Sequence, residues 1–132
     1  CRTGTTTPFH FGKTITSELA NYNADYVYGD APKGESRGET TAVGSFGVAN
    51  GVGLFDMHGN VFEWCADQYH ENYEGAPTDG SAWIEDNNNN DNHYRLLRGG
   101  SWLSNPVGCR SACRVNDNPD FDISDIGLRV VC

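Results

Sequence analysis

"RLLRGGSWLSNPVGCRSACRVNDNPDFDISDIGLRVVC", residues 95–132, is patterned at both ends and irregular in between. The opening sets Leu96 and Leu97 between arginines and follows them with two adjacent glycines, which reads as a strand running into a bulge or a close backbone approach. The ending, "IGLRVVC", reads as a closing strand. From Leu103 to Asp125 neither a period of 2 nor one of 3.6 holds, and Leu, Val, Cys and Phe alternate with Asn, Asp and Gly without order.

Upstream of this stretch, residues 72–92 are polar and end in "EDNNNNDN", just before His93. Asn and Asp satisfy their own backbone in turns and supply no core, so this segment reads as a surface loop. Before it, "NVFEWCADQYH" (60–70) sets Val61, Trp64 and Cys65 at i, i+3 and i+4, which predicts a short helix. "TITSELANYNA" (14–24) predicts another, with Thr16 or Ser17 as N-cap and Glu18 in the first turn. Elsewhere the 16 glycines and the scarcity of helical periodicity favour short strands and turns.

The chain has 132 residues and a formal charge of −9, which suits one compact domain or a large piece of one. With 11% aromatics it is not a disordered chain, although its mean hydropathy is −0.57. Nine Lys and Arg without a run argue against a nucleic-acid backbone or an anionic membrane surface as partner. No apolar run approaches the ~20 residues of a membrane span, so no membrane insertion is expected. The chain begins at Cys1 rather than Met and reads as a fragment. Its five cysteines match neither a paired C-x-x-C zinc framework nor a dense secreted scaffold, and the expected setting is reduced thiols in a bacterial cytoplasm.

Four ordered motifs, "GVGLFDMHGNVFEWCADQY" (51–69), "RLLRGGSW" (95–102), "CRSACR" (109–114) and "IGLRVV" (126–131), together resemble the formylglycine-generating enzyme, or sulfatase-modifying factor, family. The opening "CRTGTTTPFHFG" is similar to the same family. The resemblance implies an α+β, C-type-lectin-like fold of the formylglycine-generating-enzyme subtype: a small twisted antiparallel sheet, one or two short helices and much irregular loop. It also implies that residues 1–132 form the C-terminal two thirds of one such domain.

Enzymes of that family hold copper with two cysteine thiolates shortly after the G-G-S-aromatic motif, and soft thiolates suit Cu(I). Ser104 stands where the first of those cysteines falls, and a hydroxyl does not replace a thiolate. Cys109 and Cys113 stand four apart, but Cys109 belongs to the "CRSA" motif. The expectation is therefore no copper and no oxidase activity, with the copper oxidase kept as an alternative. His10, His58, His70 and His93 show no ligand spacing and read as surface or hydrogen-bonded residues.

The chain most resembles those family members that are variable proteins of diversity-generating retroelements. There, random replacement at the adenines of Asn codons is written into the C-terminal end of the lectin-like domain. Altering the first two bases of AAC never yields Lys, Glu, Gln, Met or Trp, and residues 103–125 contain none of these. Compared with an undiversified Asn-rich form, the departures are Leu103, Ser104, Gly108, Cys113, Val115, Asp117, Phe121, Ile123, Ser124 and Asp125, with Val107 and Asp122 also counted as variable. Pro106, Cys109, Arg110, Ser111, Ala112, Arg114 and Asp120 form the frame. This reading predicts a variable ligand-binding region at 103–125, its partner a protein or other macromolecule, with the aspartates favouring basic ligands. Ordinary drift in an irregular loop, in an accessory domain of a signalling protein, is the alternative.

The resemblance further implies structural Ca²⁺. One site takes the side chains of Asp56 and Glu63 with the carbonyls of Gly59 and Val61; oxygen donors of this kind suit a hard cation. The other reading is that Glu63 caps the expected helix or pairs with an arginine. A second, looser site takes Asn21, the Tyr22 carbonyl, Glu35 and the Arg37 carbonyl. Trp64 and Trp102 are expected as core anchors, and Arg98, Arg110, Arg114 and Arg129 as donors to backbone carbonyls or as surface residues.

Overall fold

A computed structural model describes residues 2–85 and 94–130. The part of the expected polar loop at 86–92, and His93, lie outside the described residues.

The segment expected to be a helix at 60–70 is instead the longest strand, β1 (Phe62–Gln68). It is followed by β2 (Arg95–Arg98), β3 (Val115–Asp117) and β4 (Ile126–Gly127). They form one sheet in the order β3-β2-β1-β4. β1 lies between β2 and β4, with Trp64 opposite Leu97 and Phe62 opposite Ile126. The spacing of Val61, Trp64 and Cys65 satisfies a helical template, but tertiary pairing on both sides decides the conformation. β1 shows no simple alternation of buried and exposed residues.

The sheet is mixed rather than antiparallel throughout. β2 pairs antiparallel with β1 and β3, whereas β4 runs parallel to β1. That arrangement follows from the chain path: β3 sits on one edge, and residues 118–125 carry the chain to the opposite edge, where it re-enters in the direction of β1. Edge to edge, four strands span about 14 Å.

No helix forms among the described residues. The expected helix at 14–24 is a single turn in which Leu19 and Ala20 donate to the Thr16 carbonyl (3.0 and 3.2 Å). It stops because the chain then turns inward: Asn21, Tyr22 and Ala24 are buried, and the Asn21 carbonyl accepts from Asn60 N at 2.7 Å.

This irregular beginning supplies most of the core. Phe9, Ile15, Ala20, Tyr22 and Ala24 pack with Cys109, and Phe11 and Tyr28 lean on the cluster. Tyr28 meets the Phe9 ring edge-on at 5.1 Å, a favoured aromatic geometry. Leu96 and Leu97 on β2 are both buried although successive side chains leave opposite faces, so that strand is covered on both. Trp64 and Trp102 are only half-buried and lie outside this core; Phe9, Tyr22 and Ile15 fill the interior in their place.

Two polar residues lock the beginning to the sheet. His58, 2% exposed, accepts from His10 N through Nε2 at 3.0 Å, so its Nδ1 carries the proton donated to the Cys109 carbonyl (2.7 Å). Asn60, with a positive φ of 70°, takes Asn21 Nδ2 and Thr41 N on its Oδ1 (3.1 and 2.8 Å). Between them, Gly59 has φ 81° and leaves no room: a Cβ there would lie 2.1 Å from the Asn21 carbonyl oxygen.

Candidate functional site

Residues 103–125 leave the sheet at one place and return to it twice. Gly99 and Gly100, both with positive φ, turn the chain off β2. A Cβ on Gly100 would lie 2.7 Å from Cys109 Sγ, so this is the close approach that the double glycine announced. Ser101 follows, 1% exposed, and organises the start of the segment.

Ser101 donates from its backbone to Ser104 Oγ (3.0 Å) and from its own Oγ to Asp125 Oδ2 (2.6 Å). The Ser104 carbonyl accepts from Asn23 N at 2.9 Å, and the Asp125 carbonyl from Phe62 N at 2.8 Å. These bonds bring Leu103 and Ser104 together with the end of the segment at Ser124 and Asp125. Ser101 is not among the residues that the sequence singles out; its place directly after the double glycine is the signal that could have found it.

The middle of the segment is held differently. Gly108 N closes a turn on Asn105. Arg98 reaches from β2 to the carbonyls of Ser111 (3.2 Å) and Cys113 (2.8 Å). Val115 and Asp117 are on β3, opposite Leu97 and Arg95. They lie at the edge of the sheet remote from β4, so the twelve irregular positions form two groups joined by the crossing stretch that carries Phe121, Asp122 and Ile123.

None of the twelve is buried. Leu103 is 53% exposed, Val107 47% and Phe121 60%, with Val115 and Ile123 at 36% each. Asp122 and Ser124 are exposed, and Ser104, Gly108, Cys113, Asp117 and Asp125 are half-buried. Of the frame residues, Pro106 and Cys109 are buried, Arg110, Ser111 and Arg114 are half-buried, and Ala112 and Asp120 are exposed. From Val115 to Asp125 the segment carries Asp117, Asp120, Asp122 and Asp125 and no Lys or Arg.

All four singled-out arginines donate to backbone carbonyls. Besides Arg98, Arg110 Nε reaches Val107 (3.1 Å), Arg114 Nη2 reaches His70 (2.6 Å) and Arg129 Nη2 reaches Phe55 (3.0 Å). Arg114 also lies over the rings of Tyr69 and Tyr73. His70 stacks on Trp83 at 3.6 Å.

Among the described residues Cys65, Cys109 and Cys113 form no disulfide. Burial pushes the Cys109 thiol up to about 12. No three His, Cys, Asp or Glu side chains converge among the described residues.

Oxygen donors for Ca²⁺ are placed unequally at the two expected sets. Asp56, Gly59, Val61 and Glu63 line one cavity of about 230 Å³. There, however, Glu63 is gripped by Arg129, whose Nε contacts both carboxylate oxygens (3.1 and 3.0 Å) and whose Nη2 contacts Oε1 at 2.5 Å, and Asp56 Oδ2 accepts from Gly44 N. At the other set, Asn21 Oδ1 is buried and accepts no hydrogen bond, while Asn21 Nδ2 holds the Glu39 carbonyl at 2.8 Å. Ser17 ties in the rest of that loop, accepting from Glu35 N and from Arg37 Nη2. A buried oxygen without a donor is the feature of this second set that suits a hard cation.

Residues 1–132 match the model of the Sulfatase-modifying factor enzyme 1-like domain. A Chlamydia caviae protein named serine/threonine-protein kinase pkn1 is 40% identical over 92 residues, 69% of this chain and 14% of that protein. A Bos taurus protein named inactive C-alpha-formylglycine-generating enzyme 2 is 30% identical over 110 residues, 76% of this chain and 31% of its own length. Among solved structures, PvdO from Pseudomonas aeruginosa superposes with a TM-score of 0.69 at 38% identity, covering 92% of this chain and 42% of that one. Treponema denticola variable protein 1 superposes with a TM-score of 0.66 at 28% identity, covering 96% and 41%.

Proposed function

The chain belongs to the sulfatase-modifying factor enzyme 1-like domain family and has its C-type-lectin-like fold, and we propose that it is a ligand-binding module whose face is the irregular positions between Leu103 and Asp125. The observation that carries this reading is that all twelve positions escape burial while Pro106 and Cys109, interleaved with them, do not. Such an arrangement lets side chains change without disturbing the interior, since surface substitutions shift stability by about ±0.5 kcal/mol. Exposed Leu103, Val107 and Phe121 supply apolar contact, and the aspartates bias the face toward basic regions of a macromolecular ligand.

In this reading the positions are diversified by a retroelement, as in the variable proteins the sequence resembles. Sequencing the gene's neighbourhood tests it: a near-copy of the codons for residues 95–132, differing only at adenines, is the expected finding. Its absence together with that of a reverse transcriptase gene returns the segment to drift. The chain's similarity to part of a kinase-named protein favours, in that event, an accessory domain of a signalling protein.

The same reading expects no copper-dependent oxidation, on the support of Ser104, whose hydroxyl does not replace a thiolate on Cu(I). It includes a structural Ca²⁺ ion held by Asn21, the Tyr22 and Arg37 carbonyls and Glu35. An ion at Asp56, Gly59, Val61 and Glu63 would share Glu63 with Arg129. Bound Ca²⁺ supplies cross-linking of loops rather than chemistry. A melting temperature that rises on adding Ca²⁺ and falls back with a chelator is expected; an unchanged one contradicts it. The setting proposed is the bacterial cytoplasm; no helix among the described residues is long and apolar enough to cross a membrane.

A further inference from the structure

One cavity of about 240 Å³ is made by none of the twelve irregular positions. Its walls include Met57, Cys65 and Ser111, with Glu63, Arg98 and Arg110 as its charged members. The charges do not cancel. Both oxygens of Glu63 are taken up by Arg129, so the acid is already neutralised by a cation that does not line this cavity. Arg98 spends Nη1 on the Ser111 and Cys113 carbonyls, and Arg110 spends Nε on Val107. Among the described residues the other nitrogens of both guanidiniums make no hydrogen bond, which leaves donors of two fixed forks to a single cavity.

The remaining wall is soft and uncharged. Met57 contributes a polarizable thioether. Burial raises the Cys65 thiol above its ordinary range against the opposing pull of Arg98, so no thiolate competes for the guanidiniums. An excess of positive charge beside sulfur-lined apolar surface is unusual in a chain of formal charge −9.

We propose that this cavity binds a small carboxylate with a short aliphatic tail, the carboxylate held by Arg98 and Arg110 and the tail laid against Met57 and Cys65. Guanidinium forks match a carboxylate in a charge-assisted, often bidentate geometry. A bare inorganic oxyanion uses the charge but leaves the sulfur wall against water. None of the lining residues is an irregular position, so the site is independent of whether the neighbouring positions are diversified.

The test is a titration of the ¹⁵N-labelled protein with butyrate and, separately, with its neutral isostere butyramide, followed at the Gly99 and Ser111 amides. Saturable shifts with butyrate and none with butyramide are expected, and Arg110→Gln should weaken butyrate at least tenfold, roughly the worth of a lost charge-assisted hydrogen bond. Arg110 is the variant of choice because Arg98 also ties two carbonyls of the segment. Equal shifts from the amide, or tighter binding of inorganic phosphate than of butyrate, would overturn the proposal. So would an Arg110→Gln protein that folds and binds unchanged. The comparison of acid with amide needs no variant and decides the matter even if Arg110→Gln does not fold. N-acetyl-Ala-Ala against its C-terminal amide then separates the sources: binding of the dipeptide acid assigns the cavity to chain ends, and its exclusion to free small acids.

Discussion

Residues 9–24 with 58–60, and residues 103–125, are both almost devoid of regular structure, yet they use their side chains in opposite ways. In the first region buried polar side chains tie distant segments together: His58 bridges His10 to Cys109, and Asn60 joins Asn21 to Thr41. In the second, none of the irregular positions is buried, and the fixed points are a few residues such as Ser101, Pro106 and Cys109. An irregular backbone therefore says nothing by itself about tolerance to change. What matters is whether the side chains close a hydrogen-bond network in the interior or stand on top of one.

The strongest challenge to that contrast is Gly59→Ala. With φ at 81° and the Asn21 carbonyl oxygen 2.1 Å from the new Cβ, the substitution forces the Asn21–Asn60 junction apart. A loss of at least about 3 kcal/mol is expected, read as failure to express in soluble form or as a large drop in melting temperature.

Next in size is the pH dependence of the buried network. Burial holds His58 down to about 4 from an ordinary 6.5, outweighing its bond to the Cys109 carbonyl. Between those values the unfolded chain takes up a proton that the folded chain refuses. The contribution is thus complete above pH 6.5 and is lost as pH falls toward 4, by up to roughly 3 kcal/mol. Urea denaturation across this range should show the decline, and His58→Gln should flatten it. His10, whose ring stacks on His58 and is likewise lowered by burial, adds in the same direction.

Smaller effects separate positions within the segment. Asp125→Ala removes the acceptor of Ser101 Oγ and should cost about 1 kcal/mol. Phe121→Asn and Leu103→Asn remove only exposed surface and should stay within about 0.5 kcal/mol. Equal costs at Asp125 and Phe121 in chemical denaturation would erase the distinction between the half-buried and the exposed irregular positions.

The sequence reveals these regions unevenly. The double glycine at 99–100 and the motifs around it point to the sheet and to the close approach of Cys109, because backbone constraints of that kind demand glycine. Phe62–Gln68 reads wrongly as helix, since Val61, Trp64 and Cys65 satisfy a helical period just as well. A strand paired on both sides need not alternate, and its partners Leu97 and Ile126 are more than 30 residues away in the chain. The parallel pairing of β4 is hidden for the same reason: it depends on the path of residues 118–125 across the sheet. Trp64 and Trp102 look like core residues by size, whereas the interior is filled by Phe9, Ile15 and Tyr22 from a stretch without period. Of the candidate site, the irregular positions are legible as a departure from pattern, but their division between the two sheet edges is not.

The most direct measurement is to randomise the twelve irregular positions together with NNC codons, display the library on cells, and score the fraction that resists protease. A parallel library randomises Ser101, Pro106, Cys109, Gly59 and Asn60. The account predicts that a large share of the first library remains folded and that almost none of the second does. Comparable losses in both would show that the fold depends on residues 103–125 no less than on the buried network, and would contradict a binding face built for change.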